Sequence, residues 1–124
     1  LPPDVGCQLY FALIDCHLTH ACEVALDVDM GSFKLLDELN KVILRRILGV
    51  GMRSGSTRAQ LYSELGIYPL RARRAGLALG YLQYLVGLPD SHYARIAALQ
   101  ADDLRRAGAS SWMGDLALVL NALP

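Results

Sequence analysis

Residue types able to do chemistry gather at three places in this chain. Thiols and imidazoles lie at 16–22, a pair of aspartates at 27–29, and arginines between 45 and 74. The first group, Cys16, His17, His20 and Cys22, sits in the run Asp15-Cys-His-Leu-Thr-His-Ala-Cys-Glu23 and offers ligand types that zinc takes. On a helix Cys16 and His20 share a face, whereas His17 and Cys22 project elsewhere. A structural zinc site needs four convergent ligands, usually two short-spaced pairs set apart along the chain. The group therefore reads as buried thiols and surface histidines, and no metal or other cofactor is assigned. Nor does the sequence supply the positioned third group that a Cys–His nucleophile needs. Asp27 and Asp29 could hold Mg²⁺, but a helix-breaking turn with Asp29 as an N-cap accounts for both. Gly49-Val50-Gly51 beside Arg53 follows a helical pattern and lacks the P-loop lysine, so it is not read as a nucleotide loop.

The arginines are the stronger signal. Residues 41–74 carry eight of the twelve basic side chains: Lys41, Arg45, Arg46, Arg53, Arg58, Arg71, Arg73 and Arg74. Glu64 is the only acid among them, while the 40 residues before hold seven acids and one base. A formal net charge of zero thus conceals an acidic block, a basic block and a nearly neutral one, an asymmetry that points to a polyanionic partner. The planar fork of arginine suits phosphate oxygens. Arg45, Arg46, Arg53, Arg58, Arg71, Arg73 and Arg74 are therefore the candidate nucleic-acid contacts, with RNA or DNA (a hybrid or duplex backbone) as partner. Tyr68, at a loop edge, is the candidate for stacking on a base, whereas Tyr81 and Tyr84 read as core. The competing account is that these cations pair with the acidic N-terminal helices and leave a neutral bundle.

The elements that must position these groups all follow a helical period, giving an all-α fold: a single domain over 1–124, one compact bundle of five or six helices. Pro2-Pro3-Asp4 predicts a stop and an N-cap, then a helix from about Val5 to Cys22. Asp29 caps a second reaching Leu48, closed by Gly49 and Gly51. Ser56 or Thr57 caps a two-turn helix to Leu65-Gly66, and Pro69 opens a fourth running to Val86. From Ala75 this fourth helix is apolar on every side, as a central helix would be. Ala72, Gly76 and Gly80 lie four apart on one face and predict close approach by a neighbour. Asp90 or Ser91 caps a fifth helix to about Ala107, and Ser110 or Ser111 a sixth, Trp112 to Leu123.

The longest apolar run, Ala75 to Leu88, spans 14 residues and includes Gln83, short of the roughly 18–20 a membrane helix needs, so no membrane partner is expected. Three cysteines and no basic leader predict reduced thiols and an intracellular location, nuclear or cytoplasmic. A start at Leu1 without Met reads as a fragment or a processed product.

Three runs carry a resemblance: Leu44-Arg45-Arg46-Ile47-Leu48-Gly49; Leu61-Tyr62-Ser63-Glu64-Leu65-Gly66-Ile67-Tyr68-Pro69-Leu70; and Arg73-Arg74. With Leu9-Tyr10, His20-Ala21-Cys22-Glu23, Tyr81-Leu82-Gln83-Tyr84-Leu85, Leu88-Pro89 and Ser111-Trp112-Met113-Gly114-Asp115-Leu116, they are similar to the region after the polymerase palm in fungal non-LTR retrotransposon reverse transcriptases. The resemblance covers nearly the whole chain in one order. It implies a thumb-like helical region that helps hold template and primer. The palm's aspartate motif is absent, since Asp102-Asp103 follows Gln100-Ala101 inside a predicted helix, so no catalytic residue is assigned. Two functions follow: a non-catalytic nucleic-acid-binding module gripping the phosphate backbone, or an all-α interaction module whose acidic and basic faces drive docking or homo-oligomer formation.

Overall fold

The computed structural model describes residues 2–49 and 58–123, without the side chains of 58–61. These residues form six helices and no strand. Helix α1 is built from three consecutive segments, Pro3–Leu9, a π-helical turn Tyr10–Ile14, and Asp15–Leu18. The others are α2 (Met30–Leu48), α3 (Arg58–Leu65), α4 (Leu70–Val86), α5 (Tyr93–Arg106) and α6 (Trp112–Asn121). The chain groups into two compact units, Leu1–His20 with Asp29–Arg73, and Ala21–Val28 with Arg74–Pro124.

Local chemistry explains most of the boundaries. Pro3 is the first residue of α1, where its fixed φ is pre-set for a helix, so Asp4 falls in the first turn and does not cap it. The helix also ends earlier than its periodicity predicts. Leu18 is its last residue, and Ala21 takes a left-handed φ of 56° in the turn that follows. Asp29 caps α2 as expected, one carboxylate oxygen accepting from the Gly31 amide at 3.0 Å and the other from the Ser32 hydroxyl at 2.6 Å. Gly49 ends that helix at φ 89°. Helix α4 begins at Leu70, one residue later than predicted, with the Pro69 carbonyl accepting from the Arg73 amide. His92, and neither Asp90 nor Ser91, caps α5: its Nδ1 accepts from the Ala94 amide at 3.1 Å. An imidazole nitrogen can fill the role of a carboxylate there, which residue-type preferences do not anticipate. Gly108, at φ 80°, lets the Ala109 amide reach the Leu104 carbonyl and closes α5. Ser111 caps α6, accepting from the Gly114 amide at 3.1 Å.

In the first unit Tyr10, Leu18, Phe33, Leu44, Ile67 and Leu70 form the buried core, lined by Cys7, Ile14, Leu36, Ile43, Ile47, Tyr62 and Leu65. Gly6 brings α1 against α2: a Cβ there would stand 2.9 Å from Ile47 Cγ2. In the second unit the buried apolar residues are Cys22, Ala75, Ala78, Leu85, Leu116 and Val119. Trp112 crosses Tyr81 edge-to-face with ring centroids 6.0 Å apart, and its indole N–H donates to the Glu23 carbonyl at 2.7 Å. Arg95 secures the end of α4 by donating to the carbonyls of Val86 and Leu88.

Helix α4 is not the surrounded helix its composition predicts. Leu77, Leu79, Tyr84 and Val86 are exposed, and so are Ala72, Gly76 and Gly80. A Cβ on Gly76 or Gly80 would meet nothing within 4 Å, so no helix among the described residues packs on that face. Burial here is confined to one side, Leu70, Arg74, Ala75, Ala78 and Leu85. Tyr84, at 57% exposure, accordingly lies outside the core, while Tyr81 is half-buried.

Candidate nucleic-acid interface

The candidate arginines with described side chains do not share one environment. Arg45 and Arg46 occupy the last turn of α2, where cations complement the partial negative charge of the helix C-terminus. Arg46 is exposed and forms no ion pair with a described residue, while Arg45 is half-buried. Arg71, in the first turn of α4, is half-buried, and its Nε has no hydrogen-bond partner. Arg53 lies outside the described residues, as does the side chain of Arg58.

Arg73 and Arg74 point into their own units. Arg73 pairs with Asp15, donates from Nη2 to the Tyr10 hydroxyl at 2.7 Å and from Nε to the Tyr68 carbonyl at 3.0 Å. Its guanidinium also lies over the Tyr10 and Phe11 rings, 5.7 and 6.0 Å from their centroids, a cation–π arrangement. Arg74 donates from Nε to both oxygens of Asp27 at 3.1 and 2.9 Å, and its Nη2 stands 2.9 Å from Oδ1. Both side chains of that pair are only 9% exposed. Two adjacent residues thus serve two different acids, because successive helix positions face about 100° apart.

Beyond Arg73 the first unit contains a polar chain that sequence reasoning missed. Arg73 donates to Tyr10, whose hydroxyl donates to Asn40 Oδ1 at 2.6 Å. Asn40 Nδ2 donates to the Tyr62 hydroxyl at 3.4 Å, and Tyr62 donates to Asp37 Oδ1 at 3.3 Å. Every donor points the same way, from a guanidinium to a carboxylate, so each hydroxyl accepts on one side and donates on the other. Asn40 and Asp37 are buried, and such groups are tolerable in a core only when partnered. Burial pushes the Tyr10 phenol above its ordinary value against the pull of Arg73, and burial followed by the Asp37 charge pushes Tyr62 up. The one sequence clue was Asn40 on the apolar stripe of α2, flanked by Leu36, Ile43 and Leu44.

Among the other candidates, Cys16 is exposed, Cys22 buried and Cys7 half-buried, all as free thiols, with His17 and His20 exposed. No three His, Cys, Asp or Glu side chains among the described residues converge as metal ligands. Asp102 lies in α5 and pairs with Arg105 and Arg106 at 2.8 and 3.1 Å. Tyr68 is 79% exposed. No helix among the described residues is long and apolar enough to cross a membrane. Compared with protein-family models, curated proteins and solved structures, the chain matches none.

Proposed function

We propose that this chain is a non-catalytic, intracellular (nuclear or cytoplasmic) nucleic-acid-binding module, of the lineage of the post-palm region of retroelement reverse transcriptases. In this reading Arg45, Arg46 and Arg71 contact the phosphate backbone, and Arg53 and Arg58 add to them as read from the sequence. The observation that carries it is Arg46, an exposed cation beside Arg45 with no acid among the described residues to neutralise it. Arg73 and Arg74 are reassigned to holding the fold, because their guanidinium donors are taken by Asp15 and Asp27. Backbone contacts carry no sequence information, so binding is expected to be indifferent to base composition. A gel-shift titration against labelled RNA–DNA hybrid tests this: affinity should fall steeply as salt rises, because each neutralised phosphate releases counterions. No retardation at low salt of hybrid, duplex or single strand would remove the reading.

A second reading is favoured by a separate observation. On α2, Leu35, Leu39 and Val42 are 75%, 51% and 43% exposed at helical spacing, an apolar seam of the kind that docks on protein. Under it the chain is an all-α interaction or self-association module. Sedimentation equilibrium of the parent and Leu39→Glu distinguishes a seam that binds a second copy from one that does not.

A further inference from the structure

Helices α1 and α2 enclose a cleft of about 380 Å³, lined by Gly6, Leu9, Tyr10, Ile14, Ile43, Arg46 and Ile47. Its volume falls within the range of roughly 300–1,000 Å³ common to small-molecule sites, which are mostly apolar with few polar groups. Among the described residues the walls are aliphatic apart from the Tyr10 ring, and one charged group is present, Arg46. The Tyr10 hydroxyl is already held by Asn40 and Arg73, so the residue offers a ligand its ring and not its hydroxyl.

The backbone supplies an independent observation. The π-helical turn at Tyr10–Ile14 bounds this cleft: the Asp15 amide donates to the Tyr10 carbonyl, five residues back. The wider turn brings residues five apart closer in angle than a regular α-helix does, and Leu9 and Ile14 both line the cleft. π-turns cost helix stability and recur at functional sites.

From the apolar walls, the widened turn and the single unpaired cation, we infer that the cleft binds an acyl carboxylate, its alkyl chain between Leu9, Ile14, Ile43 and Ile47 and its carboxylate on Arg46. The inference does not rest on the nucleic-acid reading, and Arg71, which is no part of the lining, separates the two. An acyl carboxylate can arrive free in solution or displayed on a bilayer, and the inference commits to the free form.

The test is calorimetric titration of the full chain with decanoate, decanol and decyltrimethylammonium, each below its aggregation threshold, alongside vesicles of an anionic phospholipid. Saturable one-to-one binding of decanoate is expected, with about tenfold preference over decanol, the value of one charge-assisted hydrogen bond. Arg46→Gln should remove that preference while decanol binding stays unchanged, and Arg71→Gln should leave decanoate binding unchanged. Ile14→Trp should fill the cleft and abolish both. Equal affinity for decanol and decanoate, decanoate binding unaffected by Arg46→Gln, or binding to vesicles alone would each overturn the inference.

Discussion

Replacing Asp27 by alanine should cost the second unit about 3–5 kcal/mol, the usual consequence of stranding one member of a buried ion pair. The figure follows from the geometry. Arg74 makes three contacts of 2.9–3.1 Å to the two Asp27 oxygens, and each side chain is 9% exposed. Water therefore cannot take over from the lost carboxylate, and the guanidinium stays desolvated without its counter-charge. Removing both charges together, in Asp27→Leu with Arg74→Met, should recover most of the loss, since the desolvation cost disappears with the pair. Trp112 is the reporter: it is the sole tryptophan, and its indole N–H is bonded to Glu23 in the same turn that carries Asp27. Urea unfolding followed by its fluorescence, on the parent, both single variants and the double, completes a double-mutant cycle. A cost below about 1 kcal/mol for Asp27→Ala would mean that the pair is open to water, because surface pairs are worth that little. Arg74 would then be open to solvent and available to a phosphate.

Three further outcomes are expected. Gly76→Ala and Gly80→Ala should each stabilise the protein by about 1 kcal/mol, the helix-propensity difference, because no atom lies within 4 Å of the added Cβ; a drop in Tm for either would mean that the face is covered. Tyr10→Phe should destabilise the first unit by about 1–3 kcal/mol, since it leaves buried Asn40 Oδ1 without its 2.6 Å donor; chemical denaturation followed by circular dichroism measures it. Stability of the first unit should fall as pH rises above 10.0, the ordinary tyrosine value. Burial raises the folded-state values of Tyr10 and Tyr62, so the unfolded chain loses those protons first, and below 10.0 their contribution is fully present. The decline should be shallower in Tyr62→Phe, and an unchanged slope would contradict the buried placement.

The helices were legible because their signals are local. Asp29, Gly49 and Ser111 act within one turn of chain, so residue type and position suffice. Most of what failed depended on partners distant in sequence. The composition of α4 could not reveal that its Gly76–Gly80 face has no neighbour, since burial is a property of the assembled helices and not of one of them. The arginine block was visible as charge, but charge does not show which cations already have acids. Arg73 meets Asp15 across 58 positions and Arg74 meets Asp27 across 47. The π-turn left no trace in the periodicity, because a five-residue departure falls within the spread of an amphipathic pattern. His92 was overlooked as a cap because its type is chosen for that role less often than the two residues before it.

In the proposed function Arg46 and Arg71 touch phosphate while Arg73 and Arg74 hold the fold. Measuring log affinity for an RNA–DNA hybrid against log salt, for the parent and for Arg46→Gln/Arg71→Gln, tests it most directly. Parallel loss of affinity on all base sequences, unchanged helicity, and a slope reduced by about two units, nearly one for each phosphate contact removed, are expected. Identical slopes for the two proteins, or no binding by the parent at low salt, would contradict it.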